Sequence, residues 1–137
     1  MSVSAWPLQQ AVFAALSADA GVKTVVGDPA RVFDKPPGDA TLPYVLIGDG
    51  TEEDWGTATD NGAEHQLTIH VWSRAGGRKE ARAILAAIYN VLNDTTLTLS
   101  GFHLVNLRFV LSQVLVEVDA LTYHGIARYR AVTETNS

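Results

Sequence analysis

Between Glu64 and Leu92 the apolar residues change their period, and that change constrains the fold more than any other feature of the chain. His65, Leu67, Ile69 and Val71 alternate with Gln66, Thr68, His70 and Trp72. A period of two is the signature of a half-buried strand. After Gly76 and Gly77 the period lengthens to about 3.6, and Ala81, Ile84, Leu85, Ile88 and Leu92 form one apolar stripe. Arg78, Lys79, Arg82 and Asn90 lie largely outside it. A strand therefore passes through a glycine turn into a long amphipathic helix, which must lie back across a sheet to bury its stripe.

The flanking segments complete an α+β pattern. Residues 4–17 form a first helix, with Ser4 as its N-cap, Pro7 in its first turn and Leu8, Val12, Ala15 and Leu16 inside. Asp19 caps a short second helical segment that reaches Val25, and Gly27-Asp28-Pro29 ends it. Residues 31–33 and 43–48 are strands separated by a segment that Pro36 and Pro37 keep irregular. The stretch 49–63 is the longest loop, and strands 43–52 and 63–73 are the arms of a hairpin with this loop at its tip. Residues 96–99 form a small edge strand. Residues 102–118 and 121–133 form a second hairpin, followed by a polar tail from Glu134. In 102–118 the apolar side swaps from Val105, Leu107, Phe109 and Leu111 to Val114, Val116 and Val118, which predicts a bulge near Ser112-Gln113. The expected architecture is a single α+β domain over residues 1–137. It has a mainly antiparallel sheet of about four to five strands, with two main helices on one face.

Composition narrows the function classes. The chain has no cysteine, so neither a disulfide framework nor thiolate chemistry is available. The net charge of -5 and the scattered basic residues argue against general nucleic-acid binding. No apolar run approaches the roughly 18 residues of a membrane helix, and no secretory signal pattern opens the chain, so neither a membrane nor an export role is expected.

A search for chemistry finds little. His65 and His70 lie five apart on one strand and face opposite sides, so they cannot share a metal, whereas His103 and His124 could approach across the last hairpin. Neither a metal site nor a cofactor is expected. Asp49-Gly50 breaks calcium-loop spacing, Gly48-Asp49-Gly50 is followed by acids rather than a helix, and Gly76-Gly77-Arg78-Lys79 lacks the rest of a phosphate loop. There is no G-x-S-x-G elbow, and no catalytic residue is assigned. The chain is therefore not expected to be an enzyme. Trp55 stands out, because an indole in a long polar loop either folds onto its own hairpin or meets a partner.

Three stretches carry a resemblance. Leu42-Pro43-Tyr44-Val45 with Gly48 is the first. His65-Gln66-Leu67-Thr68-Ile69-His70-Val71-Trp72-Ser73, Gly76-Gly77 and the Ala81–Leu92 helix make the second. Asp119 and Tyr123-His124-Gly125, leading to Arg128-Tyr129-Arg130-Ala131, make the third. Together they resemble the tail completion, or tail terminator, proteins of long-tailed bacteriophages and gene transfer agents. The resemblance implies a homo-oligomeric, hexameric ring that caps the tail tube and stops its polymerisation. Its implied partners are the major tail tube protein and the head–tail connector or neck protein, with DNA only as passing cargo. Assembly would take place in the cytoplasm of the bacterial host. Another neck or connector protein is the nearest alternative, and a small ligand-binding domain or enzyme is the alternative from a different class. Under the ring reading the interface candidates are Asp49, Glu52, Glu53, Asp54, Trp55 and Asp60, with Arg74 and Arg78, besides the exposed edge strand and the last hairpin.

Overall fold

The computed structural model describes residues 3–56 and 61–135. In chain order the elements are α1 (Ala5–Ala18), α2 (Ala20–Val26), β1 (Val32–Phe33), β2 (Tyr44–Asp54), β3 (Gly62–Ser73), α3 (Lys79–Leu92), β4 (Thr98–Leu99), β5 (Phe102–Val116) and β6 (Tyr123–Thr135). The strands form one sheet in the order β1-β2-β3-β6-β5-β4. All neighbours are antiparallel except β1 and β2, which are parallel. The sheet is thus mixed and has six strands rather than four to five, because the short segments β1 and β4 both add to its edges. Three helices pack with it rather than two main ones, since α2 forms a complete element.

The strand-to-helix unit forms as its periodicity dictates. Ile69, Val71 and Ser73 of β3 point inward, and Ala81, Ile84, Leu85, Ile88 and Leu92 of α3 are buried against the same core. Gly76 and Gly77 take φ of 80° and 153°, which lets the chain reverse tightly between the two elements. Ser73 Oγ donates to Glu80 Oε1 at 2.7 Å, which holds an acid in the first turn of α3, where the helix dipole favours it. Leu8, Val12 and Leu16 bury the inner stripe of α1, and Asp19 caps α2 by accepting from the Val22 amide at 3.0 Å. Full burial of each such aliphatic side chain stabilises the fold by about 1.5–3 kcal/mol.

Several expectations change. β2 runs two residues past the expected arm 43–52, to Asp54, and shortens the loop, because β3 extends far enough to pair with it: Glu52 faces His65 and Asp54 faces Ala63. Gly50 sits at a register shift in this pair, and a Cβ there would lie 2.7 Å from the Gln66 carbonyl oxygen, so no larger residue fits without moving the backbone. Glu134 and Thr135 belong to β6, not to a tail. The irregularities of β5 fall between Leu104 and Asn106 and between Phe109 and Leu111, ahead of the predicted Ser112-Gln113. The first of them brings Leu104 and Leu107 into the core and leaves Val105 exposed. Ser4 precedes α1 as expected, but its hydroxyl makes no cap bond to the helix and is used elsewhere. No described helix is long and apolar enough to cross a membrane.

Candidate functional site

The predicted interface residues divide between two ends of the sheet. Asp49, Glu52, Glu53 and Asp54 lie along β2, and Trp55 follows it, half exposed, its amide donating to the Gly62 carbonyl at 2.9 Å. Asp60 lies outside the described residues. Arg74 and Arg78 stand past the other end of β3, about 40 Å away by the rise of its strand residues. Glu52, Glu53 and Asp54 therefore line one pole, with Glu134, around an open groove of about 500 Å³, whereas Asp49 lies nearer the middle of β2, close to His70. The arginines brace the opposite pole.

Glu52 turns inward. Its Oε2 accepts from the Ser4 amide at 2.9 Å and from Ser4 Oγ at 3.0 Å. The Ser4 hydroxyl also lies 3.0 Å from His65 Nε2 and 2.8 Å from Thr133 Oγ1, and His65 Nε2 lies 2.9 Å from Thr133 Oγ1. Serine, histidine and carboxylate in contact invite comparison with a hydrolytic triad. In a triad the carboxylate holds the imidazole nitrogen remote from the serine and so fixes the tautomer. Here Ser4, Thr133 and Glu52 all crowd Nε2, with Glu52 Oε2 at 3.8 Å, and Ser4 and His65 are buried. The cluster is a polar latch between the start of α1 and strands β2, β3 and β6. His65 lies on the inward face of β3. It is buried because the latch supplies the hydrogen bonds that burial requires.

Burial lowers the pKa of His65, opposed by the charge of Glu52, and burial with the neighbouring His124 lowers that of His70. Between each depressed value and the unfolded value near 6.5, the unfolded chain binds more protons than the folded one. The stability that these two histidines contribute is therefore fully present above pH 6.5 and is lost as pH falls through their depressed values. Urea unfolding on either side of that pH is expected to show this acid limb, and His65→Gln to weaken it while His70 retains a part. An unchanged limb in His65→Gln would remove His65 as a contributor.

The second cluster lies on the helix-free face. His70 Nδ1 is 2.7 Å from His124 Nε2, and His124 Nδ1 is 3.0 Å from Glu117 Oε1. The Trp72 indole stacks on the His124 ring, with centroids 3.9 Å apart. Gly48 makes room for this, since a Cβ there would lie 2.6 Å from the His70 ring. His103 and His124, which the sequence allowed to approach, lie far apart. His103 pairs with Glu134 and His124 with Leu115, ten residues apart on β6, or roughly 33 Å of strand. Among the described residues, no three His, Asp or Glu side chains are grouped so as to hold a metal ion.

At the tip of the β5–β6 hairpin, Asp119 Oδ1 accepts from the Leu121 and Thr122 amides, at 2.9 and 2.8 Å. This is the Asx-type turn that a short carboxylate supports. These bonds and the Thr122 hydroxyl hold the Asp119 carboxyl well below the usual range. Arg74 Nε donates to Thr122 Oγ1 at 2.7 Å, and Arg78 lies over the Tyr123 ring at 5.6 Å. Both arginines fasten the hairpin to the end of β3. Reading the residues in order did not reveal Ser4, Thr133, Glu117 or Trp72 as members of clusters. Their partners are distant in sequence, and only the parity of β3 hinted at which face each histidine takes.

The remaining exposed features are apolar. Along β5, Val110, Leu111, Leu115 and Val116 are exposed, as are Val118 and Leu121 at the tip. Trp6 and Phe13 are exposed on α1. β4 pairs with β5 only at Phe102 and His103, and Asn93-Asp94 covers the same edge at Leu107 and Phe109. Among the described residues the edge beyond Phe109 has no strand beside it.

Comparison with known proteins places the chain in a family. The family model described as "Tail completion protein gp17" matches residues 10–134. The "Tail completion protein gp17" of Bacillus phage SPP1 is 33% identical over 108 residues, covering 77% of this chain and 78% of that protein. A chain in the solved structure "Virion of native gene transfer agent (GTA) particle" superposes with a TM-score of 0.90 at 32% identity. The match covers 98% of this chain and 99% of that one. With nearly all of its sheet and helices matched, the chain belongs to the tail completion protein gp17 family.

Proposed function

We propose that this protein is a structural subunit of a phage or gene transfer agent tail, which forms a homohexameric ring on the end of the tail tube. The ring stops tube polymerisation and offers its other face to the head–tail connector, while DNA passes through it as cargo. The observation that carries the reading is the near-complete structural likeness to a chain of a gene transfer agent virion. The distribution of features supports it. The polar clusters fasten elements of this chain to one another, and apolar residues are exposed on α1, along β5 and at the hairpin tip. A subunit of a closed ring needs two different lateral patches as well as a top and a bottom, and this chain exposes residues on α1, at the acidic pole, along the β5 edge and at the hairpin tip.

The test is mass by light scattering, on the purified protein and on the protein mixed with assembled tail tubes. A hexamer, in solution or only on tubes, is the expected result, since a symmetric template strengthens weak lateral contacts. A monomer or dimer that ignores tubes would overturn the proposal.

A further inference from the structure

The far half of the β5–β6 hairpin is built like the inside of a sheet but lies at its edge. Residues 109–116 read Phe-Val-Leu-Ser-Gln-Val-Leu-Val, with no charge and no proline. Proteins guard long free edges with lysine, proline or inward charges, because an unguarded apolar edge pairs with whatever strand or surface it meets. None of these devices is present here, and Val110 is 55% exposed. On the helix-free face of β5, Leu111 and Leu115 flank Gln113, opposite Arg128, His124 and Ile126 of β6. Such a surface in a folded chain calls for a partner that covers it.

The same chain carries a second uncovered apolar surface of a different shape. α1 contains no charged residue, Ala-Trp-Pro-Leu-Gln-Gln-Ala-Val-Phe-Ala-Ala-Leu-Ser-Ala. Its inner stripe is used by the core, yet Trp6 (57% exposed) and Phe13, seven residues apart, lie together on its outer side with Gln10 between them. Trp6 stands near Ser4, which is latched to Glu52 and Thr133, whereas the hairpin tip lies past Ser73 and Tyr123. The α1 surface thus starts at the Ser4 end of β3, and the hairpin surface runs from the level of Thr68 to the other end. Two unlike apolar patches on one chain meet the requirement for head-to-tail association, in which each copy uses one patch to cover the other patch of its neighbour.

We infer that the occupant of the hairpin is a second copy of this chain: residues 110–116 of one subunit seat against the outer face of α1 of the next. This inference rests on the ring reading and names the lateral contact that closes it. A mutual, two-fold pairing of hairpins would leave Trp6 and Phe13 uncovered and would stop at a dimer.

The absence of native cysteine allows a direct test. Gln10→Cys and Gln113→Cys place thiols beside the apolar residues of each patch without removing any of them. A short thiol-to-thiol crosslinker is applied to wild-type-like protein assembled alone or on tail tubes. The expected result is no product from either single variant, a covalent dimer from their mixture, and a ladder of linked copies from the double variant. A ring seen by light scattering with no ladder, or with dimers from Gln113→Cys alone, would overturn this contact and leave the ring reading standing. Absence of any assembly by the wild-type protein would overturn both. Leu111→Asp, checked for native circular dichroism, is expected to abolish the ring. A ring of unchanged mass would count against the hairpin.

Discussion

Tails assembled in a host lacking this protein are expected to be of uncontrolled length, with many tubes longer than those of the intact particle, and gene delivery is expected to fall to background. The reason lies in how tubes grow. A tube is an assembly whose axial contacts do not close on themselves, so each added layer re-creates the surface for the next. Growth ends only when a subunit binds that surface and exposes a different one. The proposed ring does this with its two unlike faces. Negative-stain images of tails from the deletion strain, with and without the protein supplied from a plasmid, measure the effect. Tails of normal length that fail to join heads would instead assign the chain to the connector side of the junction.

The largest effect of a single substitution on stability is expected at Tyr129. It is the bulkiest fully buried side chain, 1% exposed, in the central strand β6. It meets the Phe109 ring edge-on at 5.7 Å, and Phe109 in turn meets Tyr89 at 5.3 Å. Tyr129→Ala removes the ring and leaves a cavity under α3, which is expected to cost about 3–5 kcal/mol, enough to unfold a marginally stable domain. Tyr129→Phe behaves in the opposite way. The Tyr129 hydroxyl is buried with no hydrogen-bond partner among the described residues, and burial pushes its pKa well above the ordinary range. Removing an unpaired buried hydroxyl while keeping the ring is expected to leave stability unchanged or raise it by about 1 kcal/mol. Urea denaturation of the three proteins tests both expectations. A loss in Tyr129→Phe comparable to that in Tyr129→Ala would mean that the hydroxyl, and not the ring, holds the site.

The parts of the fold legible in the sequence are those with one buried side. α3 could be read because only one of its faces is apolar, so Ile84, Leu85, Ile88 and Leu92 admit a single orientation. β3 could be read because its inward residues alternate with Gln66, Thr68 and His70. β5 could not be read fully, because apolar residues occupy both of its faces and the alternation no longer fixes the register. Of the odd-numbered apolar side from Val105 to Leu111 only Leu107 is buried, and Leu104 joins it in the core. The end of β2 was obscured by its acids, which resemble a solvated loop until Glu52 is seen to turn inward to Ser4. The latch itself had no local signal, since Ser4 is separated from His65 by 61 residues and from Thr133 by 129. The apolar edge was visible as a run of letters, but its exposure follows from how briefly β4 runs beside β5.

The position of β6 sets the timetable of synthesis. It is the last strand to leave the ribosome, yet it lies between β3 and β5 and pairs with both along nearly its whole length. Until it emerges, β3 and β5 have no shared neighbour, and the nascent chain displays two apolar strands with open edges. Without β6 the pairings of β3 and β5 with their shared neighbour cannot form, and the Ser4 latch closes only when Thr133 arrives. The centre of the sheet therefore waits on the strand that joins its two halves.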